Sequence, residues 1–393
     1  MSPISANNQR SVSTASAYDV IVIGAGLQGC ATALNLVQRK QRVLLLEKKT
    51  AGRGASGVNA GGVRRLNRDP AEIPLSLAAM ELWHRIEKIV DHDCGFRPSG
   101  QIKIAENDAD MRKLEARAKL ADSLGYTHEE LVDAGEMRRL VPAAAGHCVG
   151  ALVSRRDGFA EPYWTTQAFC GKAVQLGATL LEHSPVTAIE RKHHLWRVRC
   201  GDTVYEAPIV VNSSGAWGDR IAAMIGDTIP LQAEAPTMMV TQRVSRFLDP
   251  VVGLASRKLS FKQMPNGSVV IGGGHRSRLD MTTERIVIDF RKLMISAQTV
   301  TDLFPNMHSV PVVRCWAGIE GIMPDQIPVI GPSPSSPGIF HAFGFSAHGF
   351  QLGPIVGNIM ADLITEGRTD FPIEPFRADR FTSERKRKHE ISN

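Results

Sequence analysis

No two cysteines in this 393-residue chain are spaced to hold a metal or to suggest a disulfide framework. Cys30, Cys94, Cys148, Cys170, Cys200 and Cys315 lie far apart, without a C-x-x-C pair, and read as reduced thiols of a cytoplasmic protein. Long apolar runs are missing too. The most apolar late segment, 350–364, is too short to cross a bilayer and carries Asn358 and Asp362, so no transmembrane helix is expected. Residues 1–17 are rich in Ser, Ala and Asn and lack the apolar centre of a signal peptide, so a disordered leader is expected there. Neither sign of charge dominates: 46 basic against 40 acidic residues leave a net +6. The densest basic patch, Arg385-Lys386-Arg387-Lys388, falls in an expected tail at 381–393 and reads as solvated, which gives no reason to expect a nucleic-acid or membrane partner. Internal repeats and low-complexity tracts are also absent. What remains is an enzyme-like chain, 43% hydrophobic and long enough for two or three lobes.

What is present begins at 18–47. The run Val20, Ile21, Val22, Ile23 is continuously apolar, as a parallel strand covered on both faces requires. It leads into Gly24-x-Gly26-x-x-Gly29, where glycines let the backbone turn tightly and approach a pyrophosphate, with a helix N-terminus supplying the compensating field. Ala33 and Leu36 keep that helix apolar toward the sheet, and a second strand, 43–46, ends at Glu47, placed to accept from ribose hydroxyls. A lone glycine motif is weak; the whole strand, loop, helix, strand and acid unit is specific for a dinucleotide.

A second loop of small residues, Gly52-Arg53-Gly54-Ala55-Ser56-Gly57-Val58-Asn59-Ala60-Gly61-Gly62-Val63-Arg64, follows where the chain should pass the same ligand; a flexible surface loop is the alternative. Helical spacing of apolar residues at 73–89, a strand from 99, an amphipathic helix at 108–124 and a short helix at 136–142 look like inserted elements. A turn at Arg156-Asp157-Gly158, a helix after Pro162, a strand at 179–181 and a hairpin-like pair at 186–190 and 196–200 come next. A buried strand at 207–212 then returns the chain to the nucleotide lobe at Ser213-Ser214-Gly215-Ala216-Trp217-Gly218. Residues 226–320 alternate apolar and polar, with one helix at 288–303, which suits a mostly antiparallel sheet; a last helix is expected after Pro354.

In this order the pieces resemble the FAD-dependent D-amino-acid oxidase (DAO) superfamily, above all the branch of glycine oxidase, the sarcosine oxidase beta subunit and D-hydroxyproline dehydrogenase. The similarity spans 18–376 and is carried by the opening glycine unit, Gly54-Ala55-Ser56-Gly57, Asn212-Ser213-Ser214-Gly215-Ala216-Trp217, Trp316-Ala317-Gly318, Pro324-Asp325 through Pro328-Val329-Ile330-Gly331, and Gly344-Phe345-Ser346-Ala347-His348-Gly349-Phe350. It implies an α/β fold: a Rossmann-like FAD-binding lobe from 18–97, 158–225 and 321–380, and an α+β substrate lobe, on a mostly antiparallel sheet, from 98–157 and 226–320. It also implies oxidation of the C–N bond of a small amine or amino acid (a D-amino acid, an N-methyl or a cyclic imino acid such as hydroxyproline) to an imine, by hydride transfer to flavin N5. A flavin-carrying electron-transfer subunit of a hetero-oligomeric amine dehydrogenase is the alternative, and either a homo-oligomer or a hetero-oligomer fits. An NAD-dependent dehydrogenase is disfavoured by the extra flavin-like loops.

The resemblance places FAD against Gly24, Gly26, Leu27, Gln28 and Gly29; against Glu47 and Lys48; against Gly54, Ala55, Ser56, Asn59, Ala60, Gly61, Gly62 and Val63; and against Val186, Ser214, Gly215, Trp217, Gly344, His348, Gly349, Phe350 and Gln351. Sarcosine oxidase relatives carry a lysine at what looks like the Gln351 position. His348, His275 and Arg64 are the catalytic candidates, although a histidine bonded to its own turn, a histidine at a solvent-facing strand end and a surface arginine are the respective alternatives. Arg64, Lys262, His275 and Glu320 are the substrate-binding candidates. Glycine oxidase relatives read Ala-Gly-x-Arg-Pro where this chain has Ala317-Gly318-Ile319-Glu320-Gly321, so a substrate carboxylate needs another cation: Arg64 first, Lys262 second. Glu320 must then face away, pair with a base, or meet a cationic part of the substrate. Cys315 falls a few residues before the cysteine that links FAD in some relatives, so noncovalent FAD is expected. The strand at 269–272 lacks the lysine that sarcosine oxidases hold above the flavin, which favours a dehydrogenase over a fast oxidase.

Overall fold

The computed structural model describes residues 18–381; the expected leader and residues 382–393 of the basic tail lie outside them. Two sheets organise the chain. The first has six strands in the order Val329–Pro332, Ile339–Phe343, Ile209–Asn212, Val20–Ile23, Val43–Leu46, Thr179–Leu181, parallel throughout except for the first pair. Its two central apolar runs are buried at every position because both faces are covered. Val20, Val22, Val43 and Leu45 pack with the helices Leu27–Gln38, Ile73–Trp83, Pro162–Gln175 and Gly349–Thr365. Ile21, Ile23, Leu44 and Leu46 face the antiparallel strands Val186–Lys192, Leu195–Cys200 and Thr203–Ala207. Each such side chain contributes about 1.5–3 kcal/mol by leaving water.

The second sheet has eleven strands. Its order is Arg285–Val287, Arg276–Asp280, Gln232–Thr241, Val269–Gly272, Ser260–Gln263, Val251–Leu254, Gln101–Ala105, Gly150–Ser154, Glu130–Asp133, with Val312–Ala317 and Glu320–Ile322 also pairing with Gln232–Thr241. Val251–Leu254 and Gln101–Ala105 are parallel and the other pairs antiparallel. The helix Phe290–Leu303 covers one side of it, and Phe261 stacks on Phe304 with ring centroids 4.5 Å apart. Strands of the first sheet come from 18–97, 158–225 and 321–380; those of the second come from 98–157 and 226–320, except that Glu320–Ile322 straddles the boundary.

Three local expectations need correction. The strand expected at 207–212 is two strands, Thr203–Ala207 and Ile209–Asn212, because Pro208 has no N–H to carry a ladder across. The helix expected at 73–89 divides into Ile73–Trp83 and Ile86–Val90 at His84 and Arg85. The last helix starts at Gly349 rather than after Pro354, which lies inside it. That helix crosses Leu27–Gln38 so closely that a Cβ at Gly357 would come within 2.6 Å of the Ala31 carbonyl carbon, and packing this tight offsets the hydrogen bond that proline removes.

Candidate active site

Between the sheets lies a cavity of about 1600 Å³, lined by residues of both. Backbone builds its nucleotide end. Gly24 has φ +102°, and a Cβ there would stand 2.6 Å from Ser213 O; a Cβ at Gly29 would stand 1.9 Å from Gly24 O. Any larger residue at either position would prise the strand, the helix and the 213–217 loop apart. The Leu27 N–H at the helix start donates to Ser56 Oγ at 2.9 Å, which ties the second glycine loop to the first. Glu47 closes the strand as expected from its position, accepting from the Ala25 amide at 2.9 Å and the Lys49 amide at 2.8 Å. Lys48 lies 3.2 Å from the Trp217 ring centroid and pairs with Glu284, which Lys49 also reaches at 2.6 Å. Glu284 sits between the strands Arg276–Asp280 and Arg285–Val287, so a hairpin of the second sheet is clasped to the first lobe.

The opposite end is built by side chains. Arg64 and Arg65 are adjacent in sequence and part company in space. Arg65 Nε donates to Asp157 Oδ1 at 2.9 Å, and Asp157 Oδ2 accepts from the Arg65 and Leu66 amides at 2.7 and 2.9 Å, a fully buried anchor. That anchor leaves Arg64 on the cavity wall, where its Nη1 donates to Leu66 O at 2.7 Å. Burial pushes the Arg64 guanidinium down from its ordinary value, with Glu72, Asp157 and Glu129 opposing. Lys103 lines the same cavity and is lowered by burial and by Arg64. Lys262 is buried against Phe159, 4.6 Å from the ring centroid, and burial brings its ammonium down to about 8. Among the described residues no carboxylate pairs with Arg64, Lys103 or Lys262.

These features meet in comparisons with known proteins. The model of the FAD dependent oxidoreductase (DAO) family matches residues 19–363. The chain belongs to that family. It is 27% identical to glycine oxidase of Geobacillus kaustophilus, over 92% of this chain and 97% of the relative. With the sarcosine oxidase subunit beta of Rhodobacter capsulatus it shares 25% identity, over 93% and 90%. The crystal structure of L-proline dehydrogenase from P. horikoshii superposes with a TM-score of 0.87 at 26% identity, covering 94% of this chain and 99% of that one. The cavity's own residues fit the family's cofactor: bare glycine backbone and a helix N-terminus at one end, a strand-terminal carboxylate beside them, and room for an extended dinucleotide. Bound there, FAD supplies the electron-accepting chemistry that side chains lack.

The structure brings together on the cavity wall Gly24, Gly26, Gln28, Glu47 and Lys48, the loop residues Gly54, Ala55, Ser56, Asn59, Ala60, Gly61 and Gly62, and Val186, Ser214, Gly215, Trp217, Gly344, Gly349 and Phe350. Arg64, Lys262 and Glu320 line it as well. Six expected site residues do not, and each for a physical reason. The side chain of Leu27 packs on the last helix, where a Cβ at Gly353 would touch its Cδ2 at 2.5 Å. Gly29 is used for helix–strand contact, and Val63 is buried in the main core. Gln351 is fully buried, its Nε2 donating to Ser76 O at 2.8 Å and its carbonyl accepting from Trp83 Nε1 at 2.8 Å, so it braces two helices. His275 lies off the wall; its carbonyl accepts from the Thr237 amide, and burial, then Lys258 and Lys292, lower its ring.

His348 likewise turns from the cavity, its Nδ1 2.7 Å from Glu72 Oε2 at an angle short of a hydrogen bond. Burial, and then the Arg68 charge, push it down to about 4, with Glu72 opposing. Neither histidine, named above as a catalytic candidate, lies on the cavity wall. Cys315 also points away: Arg314 and Trp316 on either side line the cavity, while Cys315 packs on the second sheet's core. The strand Val269–Gly272 is uncharged as read, but Lys262 pairs opposite Val270 on the adjacent strand and supplies a charge there, which removes the premise for disfavouring an oxidase.

Sequence reasoning missed four contributors. Lys103 looks like any strand lysine, and Glu284 like any hairpin acid. Asp227 and His341 form a buried pair at 2.8 Å that steadies Asn212, whose Oδ1 accepts from Ser214 Oγ at 2.6 Å and so shapes the 213–217 loop. Their signal is tertiary only, since 114 residues separate the pair.

Proposed function

We propose that this protein uses noncovalently held FAD to oxidise the C–N bond of a small amino acid to the imine, with N-methyl and cyclic amino acids such as sarcosine or proline as the foremost class. The observation that carries the reading is that three cations without an ion pair among the described residues, Arg64, Lys103 and Lys262, line a cavity whose other end is a dinucleotide cradle. A substrate carboxylate gives these cations the charge-assisted partner they lack, and thereby fixes the position of the adjacent carbon. The names of the relatives, glycine oxidase and L-proline dehydrogenase among them, support the same substrate class. Cys315, off the cavity wall, supports noncovalent attachment.

The test is anaerobic bleaching of the yellow protein against D-amino acids, glycine, sarcosine, and the isomers of proline and hydroxyproline. A member of this panel should bleach the flavin, and acid should release all the colour into the supernatant. Bound FAD that no amine reduces would instead favour an electron-transfer subunit. One surface feature favours that second reading: Phe290, Met294 and Ile295 are exposed along the helix Phe290–Leu303, an apolar face suited to a partner. The similarity to a sarcosine oxidase subunit beta points the same way.

A further inference from the structure

Resting on the oxidation proposed above, we infer that Glu320 takes the proton that the substrate's ammonium group must lose before its C–H bond can be oxidised. Glu320 opens the strand Glu320–Ile322 and lines the cavity. Its Oε1 accepts from the Ala347 amide at 2.7 Å, and among the described residues no cation lies within pairing distance. Arg276, whose charge reaches Glu320, is engaged elsewhere: Glu234, cross-strand from Glu320, holds it. The carboxylate also stands at the seam of the two lobes. A Cβ at Gly321 would come 3.2 Å from both Gly215 O and Ala216 Cα, and Ala347, with Ser346, is held at positive φ in the loop before the last helix.

A carboxylate kept in such a wall without a cation is costly to fold around, and a hydrogen bond to Ala347 alone would be met as well by an amide. An incoming ammonium is the partner that the wall omits. Burial pushes Glu320 up to about 7; Glu234 adds to the rise, and the Ala347 amide and Arg276 oppose it. Among the described residues, the loops 213–217 and 344–347 beside it contain no titratable group. A base with this affinity is loaded and unloaded near neutral pH. In the step itself an N–H bond breaks, its electron pair stays on nitrogen, and the proton bonds to Oε2, the oxygen that Ala347 leaves free. An ammonium and a carboxylate become an amine and a carboxylic acid, with no electrons exchanged and no oxidant consumed. The cations Arg64, Lys103 and Lys262 on the same wall leave the substrate carboxylate to be held separately.

The experiment compares wild-type holoenzyme with Glu320→Gln, using the panel amino acid that bleaches best. At pH 7 the variant should lose about 100-fold in kcat/KM. Its activity should then climb about tenfold per pH unit until the amine's own pKa, while the wild-type profile levels off above the Glu320 titration. Binding gives a readout free of turnover: from shifts in the visible spectrum, a dimethylsulfonioacetate probe should bind about tenfold more weakly to the variant, whereas methylthioacetate, which has the same carboxylate but an uncharged sulfur, should show no such loss. A Glu320→Gln protein with the wild-type rate and profile overturns the inference, as does equal weakening of both probes. Should Glu320→Gln fail to retain FAD, Glu320→Ala with added formate replaces it, and a folded Glu320→Ala that formate does not rescue counts against the role. A wild type that oxidises no amine overturns the oxidation itself and this role with it, an outcome distinct from a defect confined to the variants.

Discussion

At the nucleotide end of the cavity Glu47, Lys48 and Lys49 are answered within the protein; where Arg64, Lys103 and Lys262 line it, several charges are not. Glu47 is held by two backbone amides, and Lys48 and Lys49 share Glu284. Arg64, Lys103, Lys262 and Glu320 meet the same cavity without an ionic partner among the described residues. One end recognises through shape, by removing side chains so that a ligand reaches the backbone. In the proposed function the other recognises through unsatisfied charge, and bears the desolvation cost until a zwitterion arrives. If that contrast is right, substitutions at the first end should strike the fold and cofactor content, and those at the second should strike substrate affinity with the fold intact.

The strongest attempt to break it is Gly29→Ala. Its Cβ would sit 1.9 Å from Gly24 O, a backbone atom that cannot step aside, so the protein should lose several kcal/mol and its flavin. Gly54→Ala, which meets nothing within 4 Å, should change stability by less than about 0.5 kcal/mol. Melting temperatures and flavin-to-protein ratios decide it, and a Gly29→Ala protein with full flavin would remove the steric argument.

Next comes Arg64→Ala. It should raise KM for the amino-acid substrate about ten- to a hundred-fold, roughly what losing a charge-assisted partner is worth, with little change for a matching amine without a carboxylate. Equal losses for both would mean that Arg64 serves the cofactor or the fold, and the two ends would not differ in kind.

Asp227 sharpens the contrast through pH. Burial alone would raise its carboxyl, but hydrogen bonds from His341, Ser333 and Ser335 outweigh it and hold the group below the ordinary 3.8. A depressed acid stabilises the fold above its unfolded pKa and loses that contribution as pH falls through the lower, folded value. Asp227→Asn should therefore cost about 1–2 kcal/mol at pH 7, and the gap to wild type should narrow as denaturation curves are taken below pH 4. A gap constant down to pH 2 would contradict the assigned pairing.

Least affected should be Glu284→Gln. Its lysine pairs are partly exposed, so the clasp contributes about 1 kcal/mol or less and fades with added salt. A salt-independent loss above about 2 kcal/mol would show the hairpin to be as integral to the nucleotide end as the glycines.

The nucleotide end was legible in the amino-acid order because its requirements are local: four apolar residues, three glycines at fixed offsets and an acid after the next strand define a conformation within 30 residues. The glycine at 29 and the strands Val20–Ile23 and Val43–Leu46 needed no knowledge of the rest of the chain. Direction was what stayed hidden. That Arg65 turns inward to Asp157 and releases Arg64 depends on a residue 92 positions away, and the clasp of Lys48 by Glu284 spans 236. His348 carries the motif of a flavin-loop histidine, yet it turns to Glu72 because the helix Ile73–Trp83 packs beneath it. Glu320 could have faced away, paired or pointed into the cavity, and the register of its strand against Glu234 decided which. Backbone conformation and periodic burial are written into neighbouring residues, whereas the partner of a charge is chosen by whichever distant surface the fold brings within a few ångströms.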